Sequence, residues 1–416
     1  MKNKDGFRIE NVSAASIAEK TGTPVYVYSQ SAIEKNWAVF CDAVSVFPER
    51  TVCFAVKSNA NMAVLRVLAR SGAGADIVSG TELELALRAG IPAGKIVFSG
   101  VGKTEEEITA AVKAGIKQIN AESAEELETI ADIARKTGQR PVVGIRVNPD
   151  VDAHTHAKIT TGTKGAKFGI DWTDACPLYR RYARSDDIVL SGIEIHVGSQ
   201  LLSEKPFCET FKKTAVMLRD LESDGVRIDT VDVGGGLGVP YRSGESALSP
   251  KTYAALLKEE LSFFQGEFVF EPGRFIVANA GWLLARVVRT KRTGGKNFAV
   301  LDAGMNDLLR PALYDAYHDV VALSGKEPDT VYDVVGPVCE SSDVFGRDRT
   351  LPELEAGDYV ALCTAGAYGA TMSSTYNCRP LAPEVLVKGD RFAVVRRRQT
   401  VEDMMGVQLD PDWVSG

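Results

Sequence analysis

Residues 52–60 read VCFAVKSNA, a short apolar run of strand composition closed by one lysine, Lys57. A lysine at the end of a buried strand can do specific chemistry. Desolvation lowers the amine's pKa, so the neutral amine becomes available near pH 7 to hold an aldehyde as a Schiff base. On its own such a lysine is an ordinary solvated strand end, and only the residues around it can assign it a role. The stretch also opens a cadence. Apolar, β-branched runs at 52–56, 74–78, 95–99, 117–120, 142–147, 188–197, 229–233 and 267–271 alternate with amphipathic helical segments. Thr104-Glu-Glu-Glu107 and Ser123-Ala-Glu-Glu126 are capping-box sequences, and Gly90, Gly115 and Gly138 fall where helices should end. Eight strands in this alternation predict a parallel (β/α)8 TIM-like barrel, with an open doubly wound sheet as the competing topology.

On either side of the cadence the pattern differs. Upstream lie a strand at 7–10, a helix near 14–21, a strand at 24–28, and Ser29 or Ser31 as N-cap of a helix running to about Ala43. After Pro272, strand-like runs at 282–290, 297–302, 330–335, 357–363, 384–388 and 391–398 succeed one another, with helix only around 306–318. This predicts a barrel over 31–275 and a second, mostly antiparallel β-domain built from 1–30 and 276–416. Arg396-Arg-Arg398 reads as a solvated strand end.

Composition narrows the function. At 416 residues and 45% hydrophobic content, the chain can fill more than one core. The 48 basic and 55 acidic residues give −7, with no basic face to recognise nucleic acid. An anionic small substrate would need local arginines. Seven scattered cysteines without metal-ligand spacing predict reduced thiols, no metal site and a cytoplasmic location. No apolar stretch approaches the roughly 20 residues of a membrane span, and the N-terminus lacks the apolar core of a signal peptide.

The mouth of such a barrel is made by residues at the C-terminal ends of the strands. Lys57 comes after the first strand, Asp76 lies in the second, His196 is near the end of the sixth, Gly234-Gly-Gly236 comes after the seventh, and Glu271 closes the eighth. The glycines, with Gly273 of Glu271-Pro-Gly-Arg274, suit an anion brought close to backbone N–H groups, although a tight turn would use the same residues. His196-Val-Gly-Ser199 offers an aromatic ring and a hydroxyl. Glu271 could hydrogen-bond a pyridine nitrogen or simply pair with Arg274. Arg274 and Arg310 could fork carboxylates. In the β-domain, Cys339 beside Glu340 should remain a thiol and could give a proton, unless it is merely structural.

These residues, read together, resemble the fold type III pyridoxal-phosphate decarboxylases. The resemblance covers nearly the whole chain and rests on FAVKSN (54–59), ADIVSGTELELALRAG (75–90), HTHAKITTG (154–162), KFGI (167–170), HVGSQ (196–200), DVGGGLG (232–238), EPGR (271–274), DAGMNDLLRPALYDAYH (302–318), CESSD (339–343) and GAYGATMSSTYNCRP (366–380). It implies pyridoxal 5'-phosphate held by Lys57, stacked on His196 and partnered at its ring nitrogen by Glu271. Asp76, Ser199, Gly235, Gly236, Gly273 and Tyr368 would complete the cofactor site. Arg274, Arg310 and Tyr314 would clamp a distal carboxylate. Cys339 and Glu340, from the partner chain of a homodimer with shared sites, would supply a proton donor and an ammonium ligand. Because ornithine and lysine have no second carboxylate, Arg310 favours meso-diaminopimelate, decarboxylated to lysine in amino-acid biosynthesis. A carboxyalkyl polyamine, a basic amino acid, or a non-catalytic cofactor-binding role are the alternatives. Glu194, Val101 and Val401 depart from the family pattern, which bears on substrate preference.

Overall fold

Short strands that are buried along nearly their whole length must be covered on both faces, and a closed parallel barrel ringed by helices does so. The structure, a computed structural model, describes residues 2–3, 6–151 and 167–414. It divides into two compact units. One comprises Ile33–Pro240 and Gly244–Val277, the other Met1–Ala32, Tyr241–Ser243 and Ala278–Gly416.

The first unit is the barrel. Its strands are β1 (Arg50–Ala55), β2 (Gly74–Ile77), β3 (Ile96–Phe98), β4 (Gln118–Ala121), β5 (Val142–Asn148), β6 (Val189–Glu194), β7 (Thr230–Asp232) and β8 (Glu267–Phe270). Each pairs in parallel with the next, and β8 pairs with β1 through Phe268↔Arg50 and Phe270↔Val52, so the sheet closes. Closure excludes the open doubly wound sheet. Each strand lies within a few residues of its apolar run in the sequence.

The helices start and stop as their sequences dictate. Thr104 caps Glu105–Ala114 with a complete capping box. Ser123 caps Ala124–Thr137, but the Glu126 carboxylate reaches past it to the N–H of Glu122, so only half of that expected box forms. Gly90, Gly115 and Gly138 end their helices with φ of 94°, 65° and 67°, where a side chain would be strained. Ser29 rather than Ser31 caps Gln30–Ala43 through the Ala32 N–H. Outside the strands, Phe40, Phe207, Phe211, Tyr253 and Phe270 interlock and bury helix faces against β8.

The second unit is mostly antiparallel. Gly281–Thr293 pairs antiparallel with Lys296–Leu301, with Tyr359–Leu362 and with Val25–Ser29. Val25–Ser29 pairs in parallel with Glu384–Lys388, so the N-terminal strand lies inside this sheet. Two further strands, Val320–Ala322 and Val344–Leu351, have no counterpart among the strand-like runs of the sequence. The second, VFGRDRTL, buries only Phe345 and Leu351 and is too charged for an apolar pattern to show. The helix expected over 306–318 shrinks to Arg310–Tyr314, ended by Asp315 at φ 52°. Arg396 and Arg398 are not simply solvated: Arg396 lies 3.0 Å from buried Glu384, and Arg398 donates to the Pro24 carbonyl at 2.9 Å.

Candidate active site

At the C-terminal end of β1 the chain turns through one 3-10 turn, Val56–Ser58, and this turn carries Lys57. Its Nζ lies 2.6 Å from Oδ2 of Asp76, which is fully buried in the neighbouring strand β2. The lysine side chain remains 35% exposed, so the desolvated amine expected from the sequence is instead an ion-paired amine that also reaches solvent.

Two strands round the barrel, beyond β8, Gly234 and Gly236 turn the chain after β7 with φ of 64° and 101°. The N–H of Gly235 between them donates to Nδ1 of His196 at 3.3 Å. An acceptor at Nδ1 fixes the neutral tautomer with its proton on Nε2. Burial holds the His196 pKa well below its ordinary value, and the positive charges of Arg146 and Lys57 add to this. Ser199 Oγ accepts from Nη2 of the buried Arg274 at 3.0 Å. Arg274, expected with substrate, is thus on the hydroxyl expected to hold phosphate. Gly273 packs where a Cβ would come within 2.9 Å of Ala55 and 3.0 Å of Ser58 Oγ, which keeps the β1 and β8 ends together.

Glu271 comes directly after β8 and is buried, and its Oε1 has no hydrogen-bond partner. Its pKa is pushed well above the carboxylate range by burial and then by the charge of Asp232, with Lys57 opposing. Asp232 is raised as well, by burial and by Glu194. Glu194 is fully buried, and burial lifts it to about 7 against the opposing pull of Arg146.

These groups belong to a polar belt across the barrel interior. Arg146, Glu194 and Asp232 sit side by side in strand register on β5, β6 and β7. Arg146 lies 3.1 Å from Glu122 and 3.7 Å from Glu194. Asn120 donates to Ser99 at 3.1 Å and to Asp232 at 3.4 Å, and Ser99 donates to Glu194 at 3.3 Å. Glu122 also accepts from the N–H groups of Gly100 and Gly169. Arg146 and Asn120 lie within their strands, so attention to the residues just beyond each strand misses them, while Glu122, directly after β4, stands at such a position without being singled out above. The available signal was a charge inside an apolar strand, Arg146 in VVGIRVN.

In the β-unit, Arg310 is buried, with Nη1 2.9 Å from His318 Nε2 and its guanidinium 4.6 Å from the centre of the Tyr241 ring. His318 Nδ1 faces the Cys363 carbonyl at 2.8 Å. A carbonyl only accepts, so Nδ1 carries the proton, Nε2 accepts from Arg310, and the ring is neutral. Tyr314, half-buried, ends the short helix that starts at Arg310. Tyr368 stands at φ 55° in the GAYG turn. Cys339 and Glu340 are exposed. The Cys339 N–H donates to Asn377 at 3.3 Å, and Glu340 accepts from Tyr376 and Ser342, which hold its carboxyl below the usual range. HTHAKITTG (154–162) lies outside the described residues. Among the described residues no group of three or more His, Cys, Asp or Glu side chains could hold a metal, and no helix is long and apolar enough to cross a membrane.

The barrel residues fit a pyridoxal group. Glu271 Oε1 is a buried acceptor without a hydrogen-bond partner, the glycine turn leaves no room for side chains, and a lysine amine follows β1, the strand paired with β8. A closed parallel barrel with a lysine after its first strand and a buried carboxyl after its last defines a barrel-type pyridoxal enzyme. Residues 31–278 match the family model described as "Pyridoxal-dependent decarboxylase, pyridoxal binding domain". The chain belongs to this family, and within it to the diaminopimelate decarboxylases. It is 43% identical to the diaminopimelate decarboxylase of Zymomonas mobilis over 98% of this chain and 97% of that one. With the enzyme of Pseudomonas aeruginosa it shares 47% over 95% of each. Among solved structures, diaminopimelate decarboxylase from Helicobacter pylori complexed with L-lysine superposes with a TM-score of 0.91 at 39% identity, covering 94% of this chain and 98% of that one. The M. jannaschii enzyme in co-complex with L-lysine gives 0.93 at 36%, covering 100% of both.

Proposed function

We propose that this chain catalyses the pyridoxal 5'-phosphate-dependent decarboxylation of meso-2,6-diaminopimelate to L-lysine and CO2. Support for the reaction comes from the near-full-length relatives that carry that name, two of whose solved structures hold L-lysine. The observation that carries the substrate is Arg310. A buried guanidinium oriented by a neutral histidine and an aromatic face is a preorganised fork for a carboxylate, and only a substrate with a second carboxylate uses one.

Bound in the barrel, pyridoxal phosphate supplies an electron sink for the pair released when the Cα–carboxylate bond breaks. Lys57 provides the amine that holds the cofactor and gives it up to the substrate's amine, with Asp76 orienting it. His196, kept neutral, offers its ring for stacking without adding positive charge. Ser199, Gly235, Gly236, Gly273 and Tyr368 hold the phosphate. Glu271 presents Oε1 to the ring nitrogen. Arg274, Arg310 and Tyr314 are assigned to the substrate's distal carboxylate, Arg274 through its contact with Ser199 also serving the phosphate. The protein acts as a homodimer in which Cys339 and Glu340 of the partner chain serve as proton donor at Cα and ligand of the distal ammonium. Exposure of both residues in the single chain supports this assignment. Seven free thiols support a reducing, cytoplasmic location.

The test is CO2 release from meso-diaminopimelate compared with lysine, ornithine and carboxynorspermidine. Only the first should turn over efficiently, and preference for any of the others refutes the assignment. Lys57→Ala should lose both turnover and the visible absorbance of the bound cofactor; an active variant would sink the role given to Lys57.

A further inference from the structure

We propose that Asp343 is a positioning residue for the reaction: its buried carboxylate fixes the loop that presents Cys339 and Glu340 to the partner chain's site. The assignment rests on the roles given to those two residues above.

Cys339 and Glu340 stand in a hairpin loop, residues 336–343, between the antiparallel strands Thr330–Val335 and Val344–Leu351. The loop is longer than the roughly two to five residues of an ordinary hairpin turn, so the strands alone do not fix its tip. Asn377 and Tyr376, which meet the Cys339 N–H and the Glu340 carboxylate, are themselves exposed, and water competes for such bonds.

Asp343, at the base of the loop, is buried. Its Oδ2 accepts from the N–H of Val338, the residue before Cys339, at 2.6 Å, and its Oδ1 from the N–H of Met305 at 2.7 Å. Its own N–H donates to the Glu340 carbonyl at 3.1 Å, and its carbonyl accepts from the Gly336 N–H at 3.0 Å. Gly336 leaves the room for this: a Cβ there would come within 2.3 Å of Oδ2 and 2.4 Å of Oδ1. One residue thus holds the backbone on both sides of Cys339 and Glu340 and ties it to a second segment.

That segment is a firm anchor. The Gly304 N–H donates to the Asp307 carboxylate at 3.0 Å, and the Asp307 N–H to the Gly304 carbonyl at 2.9 Å. The Asp307 carbonyl accepts from the buried Tyr26 hydroxyl at 2.6 Å, and Tyr26 belongs to Val25–Ser29, paired on both edges inside the sheet. The loop is therefore referenced to the sheet interior through Asp343. Without the carboxylate, the Val338 and Met305 N–H groups lose their acceptor and the loop is free to shift. A shift of about one ångström at a reacting group is enough to cost on the order of a hundredfold in rate.

Asp343→Ala should accordingly lower kcat/KM for meso-diaminopimelate about a hundredfold, while the visible band of the bound cofactor stays that of wild type. Activity within about threefold of wild type overturns the proposal. The deciding measurement mixes this variant with Lys57→Ala and lets the subunits exchange. A hybrid dimer then has one site with Lys57 from one chain and an intact loop from the other, and a statistical mixture should recover about a quarter of wild-type activity. Absence of recovery, where the control pair Lys57→Ala and Cys339→Ala/Glu340→Ala does recover, overturns the proposal, because Asp343 would then serve the fold of its whole chain. Should Asp343→Ala not fold, Gly336→Ala, which displaces the carboxylate without removing it, takes its place and must give the same loss and the same recovery. Failure of the control pair to recover would instead refute the shared-site reading.

Discussion

Gly235→Ala tests the mouth of the barrel with a single methyl group. A Cβ on Gly235 would stand 2.3 Å from the carbonyl oxygen of Glu271 and 3.2 Å from its carbon. Non-bonded heavy atoms are comfortable at roughly 3.5–4.0 Å, so the contact is more than an ångström short. Both sides are backbone, and no rotamer change relieves them. The turn after β7 and the segment after β8 must separate, which costs about 1–3 kcal/mol as overpacking. The move also pulls the Gly235 N–H off His196, worth about 0.5–1.5 kcal/mol more. The sum, about 1.5–4.5 kcal/mol, falls on the two groups assigned to the cofactor ring. At about 1.4 kcal/mol per decade, pyridoxal phosphate should bind roughly 10- to 2000-fold more weakly. Titration of the cofactor-free protein, monitored by the visible band, measures this directly, and a thermal melt of the same sample separates local from global damage. Affinity within threefold of wild type at an unchanged melting temperature would refute the geometry.

Arg146→Met leaves Glu122 and Glu194 facing each other in the barrel without their shared cation, and should cost about 3–5 kcal/mol in urea unfolding; a loss under 1 kcal/mol would mean that the belt is not electrostatically coupled. For Glu194→Gln the prediction concerns pH. The folded-state pKa is raised to about 7, so native protein holds a proton that the unfolded chain releases from about 4.5 upward. The carboxyl's contribution is therefore full below pH 4.5 and lost as pH rises through 7. Relative to the variant, wild type should lose stability across that window, and a constant difference between the two at every pH would contradict the assignment.

Much of this site is legible in the sequence because barrel chemistry stands at strand ends. Lys57, His196, Gly235 and Glu271 each stand at the end of an apolar run or just past it, and those runs are unambiguous in strands covered on both faces. The belt beneath them is not legible in that way. Arg146 lies within a strand, its partner Glu194 ends one neighbouring strand and Glu122 directly follows the other, and only the closed sheet defines their register. Glu194 stands out as unusual, yet nothing in a linear reading says that its neighbour is a guanidinium. His318 is hidden for another reason. Its role comes from a carbonyl at Cys363 and an arginine eight residues back, and only the first pins its tautomer. The charged strand Val344–Leu351 likewise shows that exposed strands carry little apolar signal to find.

The placement of Val25–Ser29 has a consequence for synthesis. All five of its residues are buried, and it pairs on one edge with Gly281–Leu284 and on the other with Glu384–Val387, near the far end of the chain. At about 5–20 residues per second, a ribosome reaches Glu384 on the order of tens of seconds after releasing Ser29. The barrel, complete by Phe270, can fold in that interval while VYVYS, once Gly281–Leu284 is made, still has its second edge unpaired. Nascent or truncated chains that end before Lys388 therefore carry an apolar strand without its partner, which makes the order of translation itself a determinant of whether this protein reaches its native state.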